Sequence, residues 1–226
     1  MSQSLGKVYL VGAGPGAADL ITVRGMKLLQ TAEIVFHDAL VDPAMLDYCS
    51  QAILIPVGKR CGRHSAAQSF INKRLIDASR KYKHIVRLKG GDPMIFGRAD
   101  EEITALESSG VDVEVVPGIT AALAASASLK QSLTLRGVSR SVAFYTQVKA
   151  ENEQEASLPN ADTLVIYMGR SNSVQLAEQL LSQGRPKNTP VQIIESISTL
   201  KERSLALTLD EMSQGQAISW FNQESP

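Results

Sequence analysis

The stretch KVYLVGAGPG, residues 7–16, runs from an apolar segment with strand character into a turn rich in glycine and proline. Two later stretches repeat this arrangement, VRLKGGDP at residues 86–93 and VVPGIT at residues 115–120. Glycine allows close approach to the backbone, and in α/β sheets the turns after parallel strands form ligand clefts at one edge. The three turns therefore predict a single cleft in which bare backbone meets a ligand.

Strand-like segments alternate with amphipathic helical segments along the chain. A first βαβ unit is predicted from Lys7 to His37, with its helix starting after Thr22. The predicted strands cover residues 7–11, 33–37, 84–88, 111–116, 141–146, 163–168, 191–197 and 204–208. The other predicted helices cover residues 65–82, 99–109, 121–129 and 171–183. This alternation predicts an α/β fold with two domains, residues 1–116 and 117–226.

The composition argues against several classes of protein. Of the 226 residues 44% are hydrophobic, and 23 basic residues balance 23 acidic ones, which leaves no overall field that favours nucleic acid or a membrane. Two cysteines and three histidines, without a paired CxxC motif, argue against a disulfide scaffold and predict no metal site. No apolar run reaches membrane-spanning length and no targeting signal is evident, so a cytoplasmic protein is expected.

The first turn also fits a dinucleotide-binding fingerprint. GAGPGA at residues 12–17 matches G-x-G-x-x-A after a strand, and Asp38 follows the second strand, where a ribose-binding acid is expected. This alternative predicts an NAD-dependent oxidoreductase. Against it, Pro15 has no N–H to offer a pyrophosphate, and the helix starts late, near Thr22. A tight turn that merely connects strand and helix is a third interpretation.

Six motifs taken together are more specific than any single turn. In chain order they are VGAGPG at 11–16, VFHDAL at 35–40, VGKRCGRHS at 57–65, VRLKGGDPMIFGR at 86–98, VVPGITAA at 115–122 and VIYMG at 165–169. Their order and spacing resemble the uroporphyrinogen-III C-methyltransferase family, within the tetrapyrrole methylase superfamily. The resemblance implies two α/β domains with a cleft between them.

The resemblance also implies a reaction and partners. Methyl groups would pass from S-adenosyl-L-methionine to two pyrrole carbons of uroporphyrinogen III, giving precorrin-2 for sirohaem and cobalamin biosynthesis. Members of the family are homodimers, so a homodimer is expected. Neither nucleic acid nor a membrane is expected as a partner.

Carried over position by position, the resemblance implies three sets of site residues. Donor contacts are expected at Pro15, Gly90, Gly91, Asp92, Ile95, Thr120, Ala121, Met168 and Ile197. The expected catalytic residues are Asp38 and Lys59. Cations that bind the carboxylates of the acceptor are expected at Lys59, Arg60, Arg63, His64 and Arg98.

Several of these residues also have a structural interpretation. Asp92 can form a turn, Thr120 can cap the following helix, and Met168 can fill a core. Asp38 can assist the loss of a proton after methyl transfer, or it can end its strand and cap a helix. The segment from Val57 to Arg98 has eleven basic and two acidic residues, and this excess is attributed to the acceptor's carboxylates. The exceptions are five cations expected to be solvated on the polar face of a helix, Lys73, Arg74, Arg80, Lys81 and Lys83.

The chain departs from the family pattern in its second half. Ile197 stands where family members commonly carry a glycine against the adenosine of the donor. The late apolar strand usual in the family is missing after Gly215, so a second domain shortened at its C-terminus is expected. These departures leave open an alternative, a catalytically weakened paralogue that binds tetrapyrrole or donor.

Overall fold

The computed structural model describes residues 4–57, 64–147 and 157–223. By its internal contacts the chain divides into two units, Met1–Ala124 and Ala125–Pro226. The division falls inside the helix Ala121–Leu129. The domain boundary expected between residues 116 and 117 lies slightly earlier in the chain and stays a prediction.

The first unit contains a parallel sheet of five strands connected by helices. The strands are β1 (Lys7–Gly12), β2 (Ile34–His37), β3 (Ile53–Pro56), β4 (His84–Lys89) and β5 (Val113–Val116), in the order β3-β2-β4-β1-β5. The helices are α1 (Val23–Thr31), α2 (Pro43–Leu46), α3 (His64–Ser79), α4 (Ala99–Ser108) and α5 (Ala121–Leu129), the last of which runs into the second unit. Because every pairing is parallel, the carboxyl ends of the strands share one edge of the sheet.

Capping residues explain where the first helices begin. The hydroxyl of Thr22 accepts a hydrogen bond from the N–H of Gly25 at 3.1 Å, and α1 starts at the next residue. Asp42 caps α2 through the N–H of Ala44 at 2.8 Å, and Pro43 takes the first helical position. With Thr22 as its capping residue, the first helix begins well after the glycine-rich turn.

Two elements of this unit were not predicted from the sequence pattern. They are α2, which has four residues, and β3, which also has four. Ile53 and Leu54 of β3 are partly exposed because the strand lies at the sheet edge, and Pro56 ends it. A short exposed strand leaves little apolar periodicity to detect.

The sheet is buried on both faces, as is usual when helices connect parallel strands. On one face, Leu10 packs with Leu75 of α3 and Leu106 of α4. On the other face, Leu88 packs with Leu29 of α1. Side chains alternate between the two faces along each strand, so a polar residue in a central strand must find its partners inside the protein.

The second unit contains two pairs of strands and its own small core. The parallel pair is β6 (Val142–Thr146) with β7 (Thr163–Tyr167), and the antiparallel pair is β8 (Pro190–Glu195) with β9 (Arg203–Thr208). The helices that begin within it are α6 (Ser173–Ser182), α7 (Leu209–Ser213) and α8 (Gln216–Asn222). The core residues are Leu158, Leu176, Ala177, Leu180, Leu209 and Met212. All four strands expected here are confirmed within two residues.

The last helix is held to its unit by an aromatic contact. The guanidinium of Arg203 in β9 lies 4.1 Å from the ring centroid of Trp220 in α8, and Glu195 accepts a hydrogen bond from the same guanidinium at 2.5 Å.

None of the helices in the described segments is both long and apolar enough to cross a bilayer.

Candidate active site

The three glycine-bearing turns meet at the carboxyl edge of the first sheet, which confirms that they converge. Gly14 and Gly91 exchange backbone hydrogen bonds, with N···O distances of 3.1 and 2.7 Å. The N–H of Ala13 donates to the carbonyl of Lys89 at 2.7 Å. The turn after β1 is therefore joined by backbone hydrogen bonds to the turn after β4.

Glycine is required in these turns chiefly because backbone meets backbone. A Cβ on Gly118 would lie 2.3 Å from the carbonyl oxygen of Gly91, and a Cβ on Gly12 would lie 2.6 Å from the Cα of Gly118. Gly91 also has a φ of +67°, in the left-handed region. The missing side chains of Gly12 and Gly118 are therefore explained by their neighbours in the fold, and the expected contact between bare backbone and a ligand stays a prediction.

Gly90 is different from those glycines. A Cβ on it would meet only the side chain of Leu40, at the ordinary contact distance of 3.4 Å, among the residues that the structure describes. Its φ is not in the left-handed region. Packing therefore does not explain a glycine at this position, which is compatible with the close approach of a ligand.

Asp92 clamps two of the turns together. Its Oδ1 accepts a hydrogen bond from the N–H of Met94, and its Oδ2 accepts one from the N–H of Gly118, both at 2.8 Å. The first bond closes a turn within its own loop, and the second reaches across to the loop after β5. The turn-forming interpretation of Asp92 is confirmed, and its contact with a donor stays a prediction.

We expect Asp92→Asn to destabilise the protein by about 2 kcal/mol, because an amide has only one oxygen and would turn its NH2 group towards one of the two N–H donors. Urea unfolding followed by circular dichroism measures this change. Asp19→Asn is the matched control, since Asp19 is exposed, and should alter the free energy of unfolding by less than about 0.5 kcal/mol. Equal stability of the two variants would show that Asp92 does not clamp the turns.

The other expected donor residues fall into both units. In the first, Thr120 is buried directly before α5, and Pro15, Ile95 and Ala121 are half-buried. In the second, Met168 follows β7 with a φ of 58°, and Ile197 lies between Ser196 and Ser198, whose φ angles are 52° and 59°. Such left-handed backbone costs free energy and is concentrated at functional sites. Met168 is 54% exposed, so its interpretation as core filler is wrong.

Asp38 follows β2 at the same edge of the sheet. Its Oδ1 accepts a hydrogen bond from Nη2 of Arg87 at 2.7 Å, and 28% of its side chain is exposed. Among the described residues, its other oxygen accepts no hydrogen bond. The helix-capping interpretation of Asp38 is wrong, because Asp42 caps α2.

Three charged side chains are buried behind Asp38, and the sequence analysis did not identify them as a group. Arg87 is 2% exposed, Lys89 3% and Glu102 0%. Nε of Arg87 donates to Oε1 of Glu102 at 3.1 Å, and Nζ of Lys89 donates to Oε2 at 3.0 Å. Burial lowers the pKa of Lys89, and the positive charge of Arg87 lowers it further, while Glu102 acts in the opposite direction.

This cluster corrects one inference from the sequence. Arg87 and Lys89 are part of the basic excess attributed to the acceptor, yet both are enclosed and paired with protein groups. The available signal was their spacing of two residues in a strand whose residues 85, 86 and 88 are apolar, which places both side chains on one face of β4. Their partner Glu102 could not be inferred from that pattern, since it comes from α4.

Arg98 stands just before α4 in a left-handed conformation, with a φ of 56°. Its Nε and Nη2 donate to the two carboxylate oxygens of Glu101 at 2.6 and 2.8 Å. These hydrogen bonds raise the pKa of Arg98 and lower that of Glu101. The predicted contact between Arg98 and the acceptor remains a prediction.

The remaining expected residues cannot be placed in the site. Lys59, Arg60 and Arg63 lie outside the described residues. Only the backbone of His64 is described, as the first residue of α3. Their expected roles therefore stay predictions from the sequence.

The geometry of the first turn contradicts the nicotinamide alternative. A dinucleotide site needs free N–H groups in the turn and a helix N-terminus directly behind them. Here the N–H groups of Ala13 and Gly14 already donate to carbonyl oxygens, and α1 begins only at Val23. The arrangement lacks the cradle that a pyrophosphate requires.

Comparisons with known proteins assign the chain to a family. The model of the tetrapyrrole (corrin/porphyrin) methylases matches residues 7–213. A siroheme synthase of Psychrobacter cryohalolentis is 42% identical over 95% of this chain, but the chain spans only 42% of that protein's length. A uroporphyrinogen-III C-methyltransferase of Pseudomonas aeruginosa is 41% identical over 92% of this chain and 86% of its own.

A solved structure shares the fold. The uroporphyrin-III C-methyl transferase of Thermus thermophilus, complexed with S-adenyl homocysteine, superposes with a TM-score of 0.83 at 38% identity. The match covers 93% of this chain and 87% of that one, so the α/β fold expected from the motifs is confirmed. The chain belongs to the tetrapyrrole (corrin/porphyrin) methylase family.

Proposed function

We propose that this protein transfers methyl groups from S-adenosyl-L-methionine to two pyrrole carbons of uroporphyrinogen III, giving precorrin-2. The observation that carries the proposal is its 41% identity to the uroporphyrinogen-III C-methyltransferase of Pseudomonas aeruginosa over 86% of that protein. The chain spans less than half the length of the siroheme synthases that it also matches, so the proposal covers the methylation step alone.

The proposed donor site uses the converging turns of the first unit. Among the described residues, packing does not account for a glycine at position 90, which supports a contact between Gly90 and the donor. Gly91, Asp92, Thr120 and Ala121 belong to the same turns, and Asp92 holds two of those turns in register. Met168 and Ile197 stay donor contacts that the family resemblance predicts. When bound, the donor supplies a methyl group activated by its sulfonium.

The proposed acceptor site uses cations and one carboxylate. Arg98 and the predicted residues Lys59, Arg60, Arg63 and His64 would bind the carboxylates of uroporphyrinogen III. The reduced macrocycle is electron-rich, so positioning the two reactants contributes most to the transfer itself. The cationic macrocycle must then lose a proton from a position other than the methylated carbon, and Asp38 is proposed to accept it through the oxygen that Arg87 does not bind.

The family resemblance also supports a homodimer in the cytoplasm as the working form of the protein, and both are proposals. Size-exclusion chromatography with light scattering tests the oligomeric state. A mass equal to one chain would contradict the homodimer without affecting the proposed reaction.

The proposed reaction predicts that the purified protein, given S-adenosyl-L-methionine and enzymatically generated uroporphyrinogen III without oxygen, forms a doubly methylated product detectable by mass spectrometry. Omission of the donor is the control. Donor binding by calorimetry without product would instead favour a weakened paralogue that binds without methylating. Binding of NAD but not S-adenosyl-L-methionine would contradict both.

A further inference from the structure

The buried charges behind Asp38 need an explanation other than stability. Arg87, Lys89 and Glu102 lie between the sheet and the helices α3 and α4, next to the apolar core on that face. Charged groups lose hydration when they are buried, and well-packed apolar residues often stabilise a protein as well as an ion pair does. A buried ionic cluster that ends at one solvent-accessible carboxylate therefore points to a role at that carboxylate.

Every nitrogen of the Arg87 guanidinium is occupied. Nε donates to Glu102 at 3.1 Å, Nη1 donates to the carbonyl of Leu88 at 3.1 Å, and Nη2 donates to Asp38 at 2.7 Å. The planar guanidinium is therefore fixed against rotation about its own axis. Because one fork binds both carboxylates, the position of Asp38 is set by the position of Glu102.

Glu102 is itself held from other sides. Lys89 donates to its Oε2 at 3.0 Å, and Nε2 of Gln68 in α3 donates to its Oε1 at 3.1 Å. The amide of Gln68 also donates to Oδ1 of Asn72 at 3.0 Å, and Asn72 in turn donates to the carbonyl of Glu101. The network thus ties β4 to α3 and α4, two helices whose packing does not depend on a ligand.

We propose that Arg87, Lys89 and Glu102 are positioning residues that hold the carboxylate of Asp38 where it can take a proton from the cationic, methylated macrocycle. The proposal rests on the proposed function. In the step concerned, a C–H bond of the methylene bridge next to the methylated ring breaks, its electron pair neutralises the cationic macrocycle, and Asp38 becomes a carboxylic acid. Arg87 holds one oxygen of Asp38, and among the described residues the other accepts no hydrogen bond on a side chain that is 28% exposed.

A double-mutant cycle tests the link. Arg87→Lys keeps the positive charge but lacks the fork that joins Asp38 to Glu102. We expect it to lower kcat about tenfold or more, with KM for uroporphyrinogen III and affinity for S-adenosylhomocysteine within about twofold of wild type. Introduced into the Asp38→Asn protein, it should lower kcat by no more than about twofold. Arg24→Lys, at an exposed arginine 3.7 Å from Glu114, is the matched control and should leave kcat unchanged in both the wild-type and the Asp38→Asn backgrounds.

The same loss of kcat in both backgrounds would overturn the proposal, because a residue that only supports the fold acts whether or not Asp38 is present. If the Arg87→Lys protein does not fold, the nearly isosteric Glu102→Gln is tested in the same double-mutant cycle. We expect it to lower kcat about tenfold or more in the wild-type background and by no more than about twofold in the Asp38→Asn background.

Crystal structures of the variants provide a readout that does not need activity, and the Asp38 carboxylate should move by about 1 Å or more. An unmoved carboxylate would overturn the proposal. Absence of methylation by wild-type protein would contradict the proposed function alone.

Discussion

Gly118→Ala will destabilise the protein by about 3 kcal/mol and abolish donor binding. The added Cβ would lie 2.3 Å from the carbonyl oxygen of Gly91 and 2.8 Å from the Cα of Gly12. Both neighbours are backbone atoms, so no side-chain rotation can relieve the overlap and the turns must separate. Urea unfolding measures the stability, and calorimetry with S-adenosylhomocysteine measures the binding.

Gly90→Ala is the matched comparison, since it adds the same methyl group in the turn after β4 instead of the turn after β5. Within the described segments its Cβ would meet only the side chain of Leu40, at 3.4 Å, so the free energy of unfolding should stay within about 0.5 kcal/mol of wild type. Donor affinity should nevertheless fall about tenfold or more, because the methyl group occupies the space proposed for the donor. Wild-type stability of Gly118→Ala would contradict the convergence of the turns. Normal donor binding by Gly90→Ala would exclude Gly90 from the donor site.

Asp38→Asn will lower kcat about 100-fold or more, with little change in the affinity for S-adenosylhomocysteine. The amide keeps the shape of the side chain and an oxygen for Arg87, but it cannot take the proton that the methylated macrocycle loses. Steady-state kinetics with uroporphyrinogen III measure turnover, and calorimetry measures the affinity. The loss belongs to kcat because the donor contacts are proposed to come from the glycine-bearing turns.

Asp42→Asn is the control for this prediction. Asp42 lies on the same loop and caps α2 through the N–H of Ala44, a role that asparagine fills equally well. Its turnover should match that of wild type. An Asp38→Asn protein with kcat within about twofold of wild type would remove Asp38 from the reaction.

Much of the fold was predictable because its signals are local. The strand at residues 7–12 and the helix at 121–129 follow from short apolar patterns and from the residues that flank them. Thr22 lies one residue before α1, as its capping role requires. By contrast, β3 was not predicted, because an exposed strand of four residues at a sheet edge carries almost no apolar periodicity.

The sequence predicted which residues belong to the candidate site better than it predicted what each of them does. The motifs identified Gly90, Asp92 and Asp38, and the structure places all of them at one edge of the first sheet. The same motifs could not separate Gly118, which packs against backbone, from Gly90, which does not. That distinction depends on atoms from another turn, which are remote in the sequence.

Most of the strands and helices, the three turns and the family of the chain can be read from the residues in sequence, because periodicity, capping and motif spacing are properties of neighbouring positions. The clamp from Asp92 to Gly118 and the enclosure of Arg87 with Glu102 appear only once the chain has folded. Hydrogen bonds and close packing act over a few ångströms, so their partners are determined by how β4, β5 and α4 come together in space.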